Sequence, residues 1–390
     1  MELDLIQSTL RESGLDGWLF YDHHRRDPIA YRVLKIDPPM CTRRWYYLIP
    51  AQGAPSKLVH RVERQNLGAL PGTEAQYSSW KEQHEGLKKL LEGKRRIAMQ
   101  YSPLNDIPYV GLVDAGTIEL VRSLGVEVVS SADLVQLFEA RWRDDALASH
   151  LAAGKVVHAA VRAGFAAIAE AVRSGKKIRE YDVQLEMLRI FEGGGVVMDE
   201  GPVVAVNKNT ANPHYMPQRE GSSPIGAKDF VLLDVWGKIS KPGAVYFDIT
   251  WTGFVGVEAP RRYAEVFEIV REARDAAVAF VQAAMQSGRT IHGYEVDDVA
   301  REIITRRGYG PYFIHRTGHS IGEEVHGNGA NIDNFETRDT RQIIPRTCFS
   351  IEPGIYLPEF GVRSEVNVFV EETGARVTGE AQQAIVPILG

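Results

Sequence analysis

Four acids stand where acids are costly. Asp234 closes the apolar run Phe230-Val231-Leu232-Leu233, and Asp248 sits inside Val245-Tyr246-Phe247-Asp248-Ile249-Thr250. Glu352 follows Phe349-Ser350-Ile351, and Glu365 interrupts the alternation Gly361-Val362-Arg363-Ser364-Glu365-Val366-Asn367-Val368. Burying carboxylates in such strands is unfavourable unless a partner offsets it. Neighbouring carboxylates raise one another's pKa, so four at one place cannot all ionise without cations. Divalent ions resolve the conflict. An imidazole is available in His315-Arg316-Thr317-Gly318-His319-Ser320-Ile321-Gly322-Glu323-Glu324-Val325-His326, a segment with three of the chain's 11 histidines. Its glycines at 318 and 322 let backbone come close to a ligand. Oxygen ligands with one imidazole suit Mn²⁺, and also Co²⁺, Fe²⁺ or Zn²⁺.

These residues need a scaffold, and its outline is readable. Asp234 and Asp248 flank a stretch with Gly237 and Pro242-Gly243, which predicts a hairpin carrying one aspartate on each strand. Upstream, Ala146 to Val172 is Ala-rich with helical spacing and ends at Gly175; Arg179 to Phe191 forms a second helix, closed by Gly193-Gly194-Gly195. A second helical pair, Arg261 to Met285 and Tyr294 to Arg306, again precedes strands. The region after Arg143 therefore reads twice as a helix pair followed by strands, as a duplicated half-domain would. Before it, helices at Leu3–Ser13, Lys81–Leu91 and Ala115–Leu124 alternate with strands at Trp18–Tyr21, Trp45–Pro50, Lys57–Val62, Arg96–Met99 and Val126–Val129. That alternation predicts a small α/β domain. The expected domains are 1–143 and 144–390, the first α/β and the second α+β.

Composition narrows the classes. With 45 basic and 51 acidic residues, net charge −6, the chain offers no electrostatic case for nucleic acid. No apolar run reaches the ~20 residues of a membrane span, and no secretion-signal pattern opens the chain. Two cysteines, Cys41 and Cys348, are too few for a disulfide framework or a thiolate metal site, and a reducing cytoplasm is expected.

The ligand order Asp234, Asp248, His319, Glu352, Glu365 resembles that of the pita-bread metallopeptidases, which include methionine aminopeptidase, aminopeptidase P and prolidase. The prolidase and aminopeptidase P branch fits best, through Asn212-Pro213-His214-Tyr215, the 315–326 segment, Ser350-Ile351-Glu352-Pro353-Gly354-Ile355-Tyr356 and Gly361-Val362-Arg363-Ser364-Glu365. The first domain is similar to the creatinase-type N-terminal domain of that branch.

The resemblance implies a hydrolase that cleaves an Xaa-Pro bond at a peptide N-terminus with a hydroxide held between two divalent ions. Another small-molecule C–N hydrolase or a lyase on the same fold is the alternative. It implies that Asp234 chelates one metal, that Asp248 and Glu365 bridge both, and that His319 and Glu352 complete the second. It casts His214 and His326 as substrate-side histidines with His315 beside them, Glu352 as a proton shuttle, and Arg363 as the arginine that orients a ligating carboxylate. It implies a homodimer acting on small peptides, with the loop His23-His24-Arg25-Arg26-Asp27 as the segment of one chain that borders the site of the other. Arg338, Arg341 and Arg346 are candidates to clamp a substrate carboxylate. Four departures bear on substrate: a longer Asp234–Asp248 connection containing Trp236 and Pro242, Trp251 in place of a basic residue, Gly327 in place of an acid, and Arg346 in place of a glycine.

Overall fold

A computed structural model describes residues 1–37 and 40–390. The chain separates into two compact units, Met1–Glu139 and Ala140–Gly390. Ala140-Arg141-Trp142-Arg143, expected in the first domain, thus falls in the second, where the Trp142 indole donates to the Ile321 carbonyl at 3.2 Å.

Unit 1 contains helices α1 (Leu3–Glu12), α2 (Pro28–Leu34), α3 (Trp80–Leu90), α4 (Ala115–Ser123) and α5 (Ala132–Val135). Its strands are β1 (Gly17–Asp22), β2 (Trp45–Pro50), β3 (Ser56–His60), β4 (Thr73–Tyr77), β5 (Arg96–Met99) and β6 (Glu127–Ser130). They form one sheet in the order β4-β3-β2-β1-β5-β6, in which only β2 runs against the rest. Every residue of β1 and β2 is buried, because apolar clusters cover both faces of the sheet.

Unit 2 begins with α6 (Asp144–Ser174), β7 (Ile178–Arg179) and α7 (Glu180–Gly194), followed by β8 (Val196–Val197), β9 (Val203–Val206), β10 (Pro224–Ile225), β11 (Phe230–Ile239) and β12 (Phe247–Phe254). The second half repeats the plan with α8 (Arg261–Ser287) and α9 (Gly293–Arg306). Then come β13 (Ser320–Ile321), β14 (Cys348–Ile351), β15 (Gly354–Tyr356), β16 (Gly361–Arg363), β17 (Val366–Glu371), β18 (Gly374–Thr378) and β19 (Val386–Pro387). Each half has its own core. Val157, Val161 and Phe165 of α6 pack with Val231, Leu233, Val235 and Ile249, while Val270, Ala273 and Ala277 of α8 pack with Ile351, Val362 and Val366. Helix α6 has the length and hydropathy of a membrane span, yet half of its most apolar window is buried in this core.

Strand periodicity does the positioning. In β11, Val231, Leu233 and Val235 face the core, so Leu232, Asp234 and Trp236 project from the opposite face. The hairpin register sets Asp234 against Thr250 and Trp236 against Asp248. Asp234 therefore lies mid-strand rather than at a strand end, and Gly237 belongs to the strand rather than to the loop.

Candidate metal centre

The side chains converge from both halves of unit 2. Asp234 comes from β11 and Asp248 from β12; His319 precedes β13; Glu352 follows β14; Glu365 occupies the break between β16 and β17. Arg363 therefore ends β16, while Glu365 stands outside both strands. Oxygen and nitrogen atoms of Asp248, His319 and Glu365 lie within 4.8 Å of one another. His319 Nε2 is 3.5 Å from Asp248 Oδ2 and 3.3 Å from Glu352 Oε1. Its Nδ1 lies 3.1 Å from the Ser320 carbonyl and donates to it, so Nε2 is the nitrogen turned toward the acids.

Arg363 binds this group together. Its guanidinium is ion-paired with Asp234, Nε lies 3.8 Å from Glu352 Oε2, and Nε donates to Thr250 Oγ1 at 2.9 Å. Thr250 Oγ1 is in turn 2.7 Å from Asp234 Oδ1 and 2.9 Å from Glu365 Oε2. One hydroxyl carries one proton, so it serves only one of those two carboxylates. Glu365 Oε1 is buried without any hydrogen-bond partner.

The electrostatics follow from crowding. Burial first, then Asp234 and Glu352, push Asp248 well above the usual carboxylate range. Burial and then Asp248 do the same to Glu365. Burial also acts upward on Glu352, but His319, Arg363 and His315 outweigh it and hold Glu352 low. A single guanidinium cannot neutralise four acids. An orphaned buried oxygen, an excess of negative charge and a carboxylate–imidazole donor set together fit divalent cations.

The three other histidines differ. His326 lies against His319, ring centroids 4.3 Å apart, and His319 and then desolvation push it down to about 3. His214 is exposed on the loop after β9, near enough to act electrostatically on His326. His315 has both ring nitrogens engaged, Nε2 with Tyr356 Oη at 2.8 Å and Nδ1 with the Arg316 carbonyl at 2.6 Å. It therefore has no nitrogen left for the substrate contact expected of it.

Several residues that matter here escaped the sequence reading. Thr250 was visible only as one more residue of an apolar strand. Glu180, fully buried at the start of α7, accepts from Val206 N, Asn209 Nδ2, Ser223 N and Tyr215 Oη at 2.5–2.8 Å. It thereby pins both ends of the loop that carries His214. In the other half, buried Asp297 of α9 accepts from Thr317 N at 2.9 Å and Oγ1 at 2.6 Å, just ahead of His319. An acid early in a predicted helix looks like an ordinary helix-start residue, so neither stood out.

The clamp expected of the three arginines is not available from two of them. Arg341 is buried and paired with Asp339, and Arg346 binds Asp144 and the Trp142 carbonyl. Arg346 has φ 71°, the left-handed region, which explains why a glycine suits that position. Gly318 is required by contact: a Cβ there would lie 1.9 Å from the Ser350 carbonyl oxygen. Trp251 faces the α6 side, 6.0 Å ring to ring from His158, and Trp236 is the aromatic residue on the acid-bearing face.

The profile of metallopeptidase family M24 matches residues 150–372. The chain belongs to that family. It is 36% identical over 214 residues to an Xaa-Pro dipeptidase of Lactobacillus delbrueckii subsp. lactis, covering 55% of this chain and 52% of that protein. It is 34% identical over 231 residues to an Xaa-Pro dipeptidase of Pyrococcus furiosus, covering 57% of this chain and 59% of that one. In sequence, the chain thus spans little more than half the length of these curated relatives. The fold extends further. Dipeptidase PepE of Mycobacterium ulcerans superposes with a TM-score of 0.71 at 22% identity, covering 98% of this chain and 96% of that one. The prolidase of Pyrococcus horikoshii OT3 superposes at 0.66 and 22%, covering 98% of each. The pita-bread fold is therefore the fold of this chain's M24 region, and the likeness to the solved structures runs on through the α/β unit before it.

Proposed function

We propose that the chain is a dinuclear metallopeptidase that hydrolyses the bond between an N-terminal residue and proline, in dipeptides or short peptides. The observation that carries the reading is the convergence of Asp234, Asp248, His319, Glu352 and Glu365 around a buried, unpartnered Glu365 oxygen. Those five side chains would hold two divalent ions, Mn²⁺ by preference, with Co²⁺, Zn²⁺ or Fe²⁺ as substitutes. When bound, such ions polarise a carbonyl and make water nucleophilic near neutral pH.

The chain's own residues do the rest. Arg363 and Thr250 fix the Asp234 carboxylate, so that its orientation is set before any ligand arrives. His326 and His214 donate hydrogen bonds to the substrate carbonyl oxygen as negative charge grows on it. Glu352, held ionised by His319 and Arg363, takes a proton from the attacking water and delivers it to the leaving nitrogen. His315 positions rather than contacts, fixing Tyr356 beside Arg363. An Xaa-Pro amide has no N–H, and this arrangement asks only for a carbonyl oxygen and a protonatable nitrogen. Both cysteines are free and buried, in keeping with a cytoplasmic enzyme, and the family resemblance supports a homodimer.

The test compares Ala-Pro, Ala-Pro-Ala and Ala-Ala at matched concentration with Mn²⁺, Co²⁺ and Zn²⁺ supplied separately. Cleavage of a proline substrate is expected; preference for Ala-Pro makes the enzyme a dipeptidase, and preference for Ala-Pro-Ala an aminopeptidase. A folded, metal-loaded sample inert on both would overturn the peptidase reading in favour of another C–N hydrolase.

A further inference from the structure

Unit 1 has a cavity of its own, about 900 Å³, formed wholly by residues between Tyr21 and Leu120. Its place in the fold is specific. Strands β1, β3 and β4 run the same way, and the cavity opens where they end, at Tyr21, His60 and Tyr77. Ligand sites in open, mostly parallel sheets lie outside the carboxyl ends of the strands. The first turns of α3 and α4 also reach this edge, through Trp80 and Thr117. Helix N-termini add positive potential there, although Ser79 and Asp114 already cap them.

The guanidinium groups of Arg26, Arg43 and Arg44 make the lining cationic, against Asp114 as the one acid of its wall among the described residues, and His23, His60 and His84 also face the cavity. Asp114 is committed to Thr117, whose N–H and hydroxyl lie 2.9 and 2.8 Å away. Asp22 lies beneath, buried, and accepts from the backbone N–H groups of Arg25, Arg26 and Asp27. The guanidinium groups of Arg26 and Arg44 have no acidic partner among the described residues. Within the same unit Arg61 and Arg96 are paired, with Glu82 and Glu127. Like charges held together in a concave wall focus the field into the cavity and favour an anion there. Trp80, 62% exposed, stands at the rim with its indole edge-on to His84, 5.4 Å between centroids. A large exposed aromatic ring on the same wall as unpartnered guanidinium groups offers an apolar cover for a ligand held by them.

We propose that this carboxyl-edge cavity of unit 1 binds a small anion bearing a phosphate or carboxylate group, held by Arg26 and Arg44 and covered by Trp80. Phosphate and carboxylate share the planar or near-planar oxygen pairs that a guanidinium engages with two hydrogen bonds, so both sources fit the same residues. The cavity shares no residue with the metal centre of its own chain, and anion binding there does not depend on the peptidase reading.

The test follows Trp80. The intact, metal-loaded chain is titrated with inorganic phosphate, adenosine 5′-monophosphate and succinate in separate arms, at low and at physiological salt. The readout is the fluorescence change present in the wild type and absent from Trp80→Phe, which isolates the cavity from any anion bound at the metals. The paired substitution Arg26→Gln with Arg44→Gln is compared with Arg95→Gln, an exposed arginine of the same unit outside the cavity. Saturation by at least one anion is expected, weakened about tenfold or more per guanidinium lost and unchanged in Arg95→Gln. The arm that saturates identifies phosphate or carboxylate as the source. Absence of saturation up to 10 mM with all three anions, or equal curves for the cavity variant and Arg95→Gln, would overturn the proposal; unchanged thermal midpoints exclude misfolding as the cause.

Discussion

Thr250 stands directly opposite Asp234 in the β11–β12 ladder, and its hydroxyl lies 2.7 Å from Asp234 Oδ1. The same oxygen receives Arg363 Nε and reaches Glu365 Oε2, so one small side chain orients acids that come from opposite halves of the unit. Thr250→Val keeps the shape and removes those bonds. Metal affinity should fall about 10–100-fold, the usual cost of losing a group that orients a ligand. Thr250→Ser should retain it. Calorimetric titration of Mn²⁺ into metal-free protein checks this, and equal affinities for wild type and Thr250→Val would remove Thr250 from the site's machinery.

Arg363 is the one cation buried among the four acids, and its loss leaves Asp234 and Glu352 facing each other without it. Breaking one side of a buried pair commonly costs about 3–5 kcal/mol. Arg363→Met should therefore lower stability by that order in chelator, and by less with saturating Mn²⁺, because the cations then neutralise the acids that have lost their guanidinium. Urea unfolding with and without metal measures both. A loss independent of metal would mean that Arg363 serves packing alone.

His326 and His214 separate binding of metal from turnover. His326→Ala and His214→Ala should each lower kcat by roughly 10²-fold, the scale of one lost oxyanion donor, while metal content by elemental analysis stays unchanged. Normal kcat in both would return them to ordinary surface histidines.

Glu180 touches neither metal ligands nor reacting atoms, yet it ties the His214 loop to α7 through four donors. Glu180→Gln keeps one accepting oxygen and turns the other into a donor that opposes Ser223 N–H or Tyr215 Oη. Residues 207–222 should then exchange amide hydrogens faster, with α6 and β11 unaffected, and kcat should fall toward that of His214→Ala. Unchanged exchange in the loop would show that Glu180 does not hold it.

The parts of this protein that could be read from sequence are those in which one residue type carries one message. Asp234, Asp248, Glu352 and Glu365 were conspicuous because carboxylates rarely sit in apolar strands, and the long periodic helices α6 to α9 were conspicuous by length. The hidden parts depend on partners far along the chain. Thr250 gains its role only through Arg363 and Glu365, more than a hundred residues away. The clamp expected of Arg341 failed because Asp339 had already claimed that guanidinium inside a buried turn. In unit 1, α2 went unseen because its seven residues are too few to show a period, although Asp27-Pro28 is a helix start with cap and first-turn proline. Strand β4 went unseen because Thr73-Glu74-Ala75-Gln76 is exposed along the sheet edge and carries no apolar alternation.

Acid sensitivity tests the fold at a point away from the metal centre. His150 of α6 is completely buried, with Nδ1 2.6 Å from the Tyr246 carbonyl and Nε2 2.7 Å from Thr378 Oγ1. Nδ1 therefore donates and Nε2 accepts, the arrangement of a neutral ring. Burial pushes its pKa down to about 4, against 6.5 for the free side chain. The unfolded chain thus binds a proton that the folded chain refuses between pH 6.5 and 4. Stability contributed by neutral His150 is fully present above pH 6.5 and is lost as pH falls toward 4, a change of roughly 3 kcal/mol over that window. His150→Gln, whose amide has a donor and an acceptor but no titration, should be less stable than wild type at pH 7.5 and should lose less on acidification. Urea unfolding of both proteins at pH 7.5, 6.0 and 5.0 measures the difference. Parallel pH dependence in the two would show that acid unfolding begins elsewhere, with carboxylates rather than with this histidine.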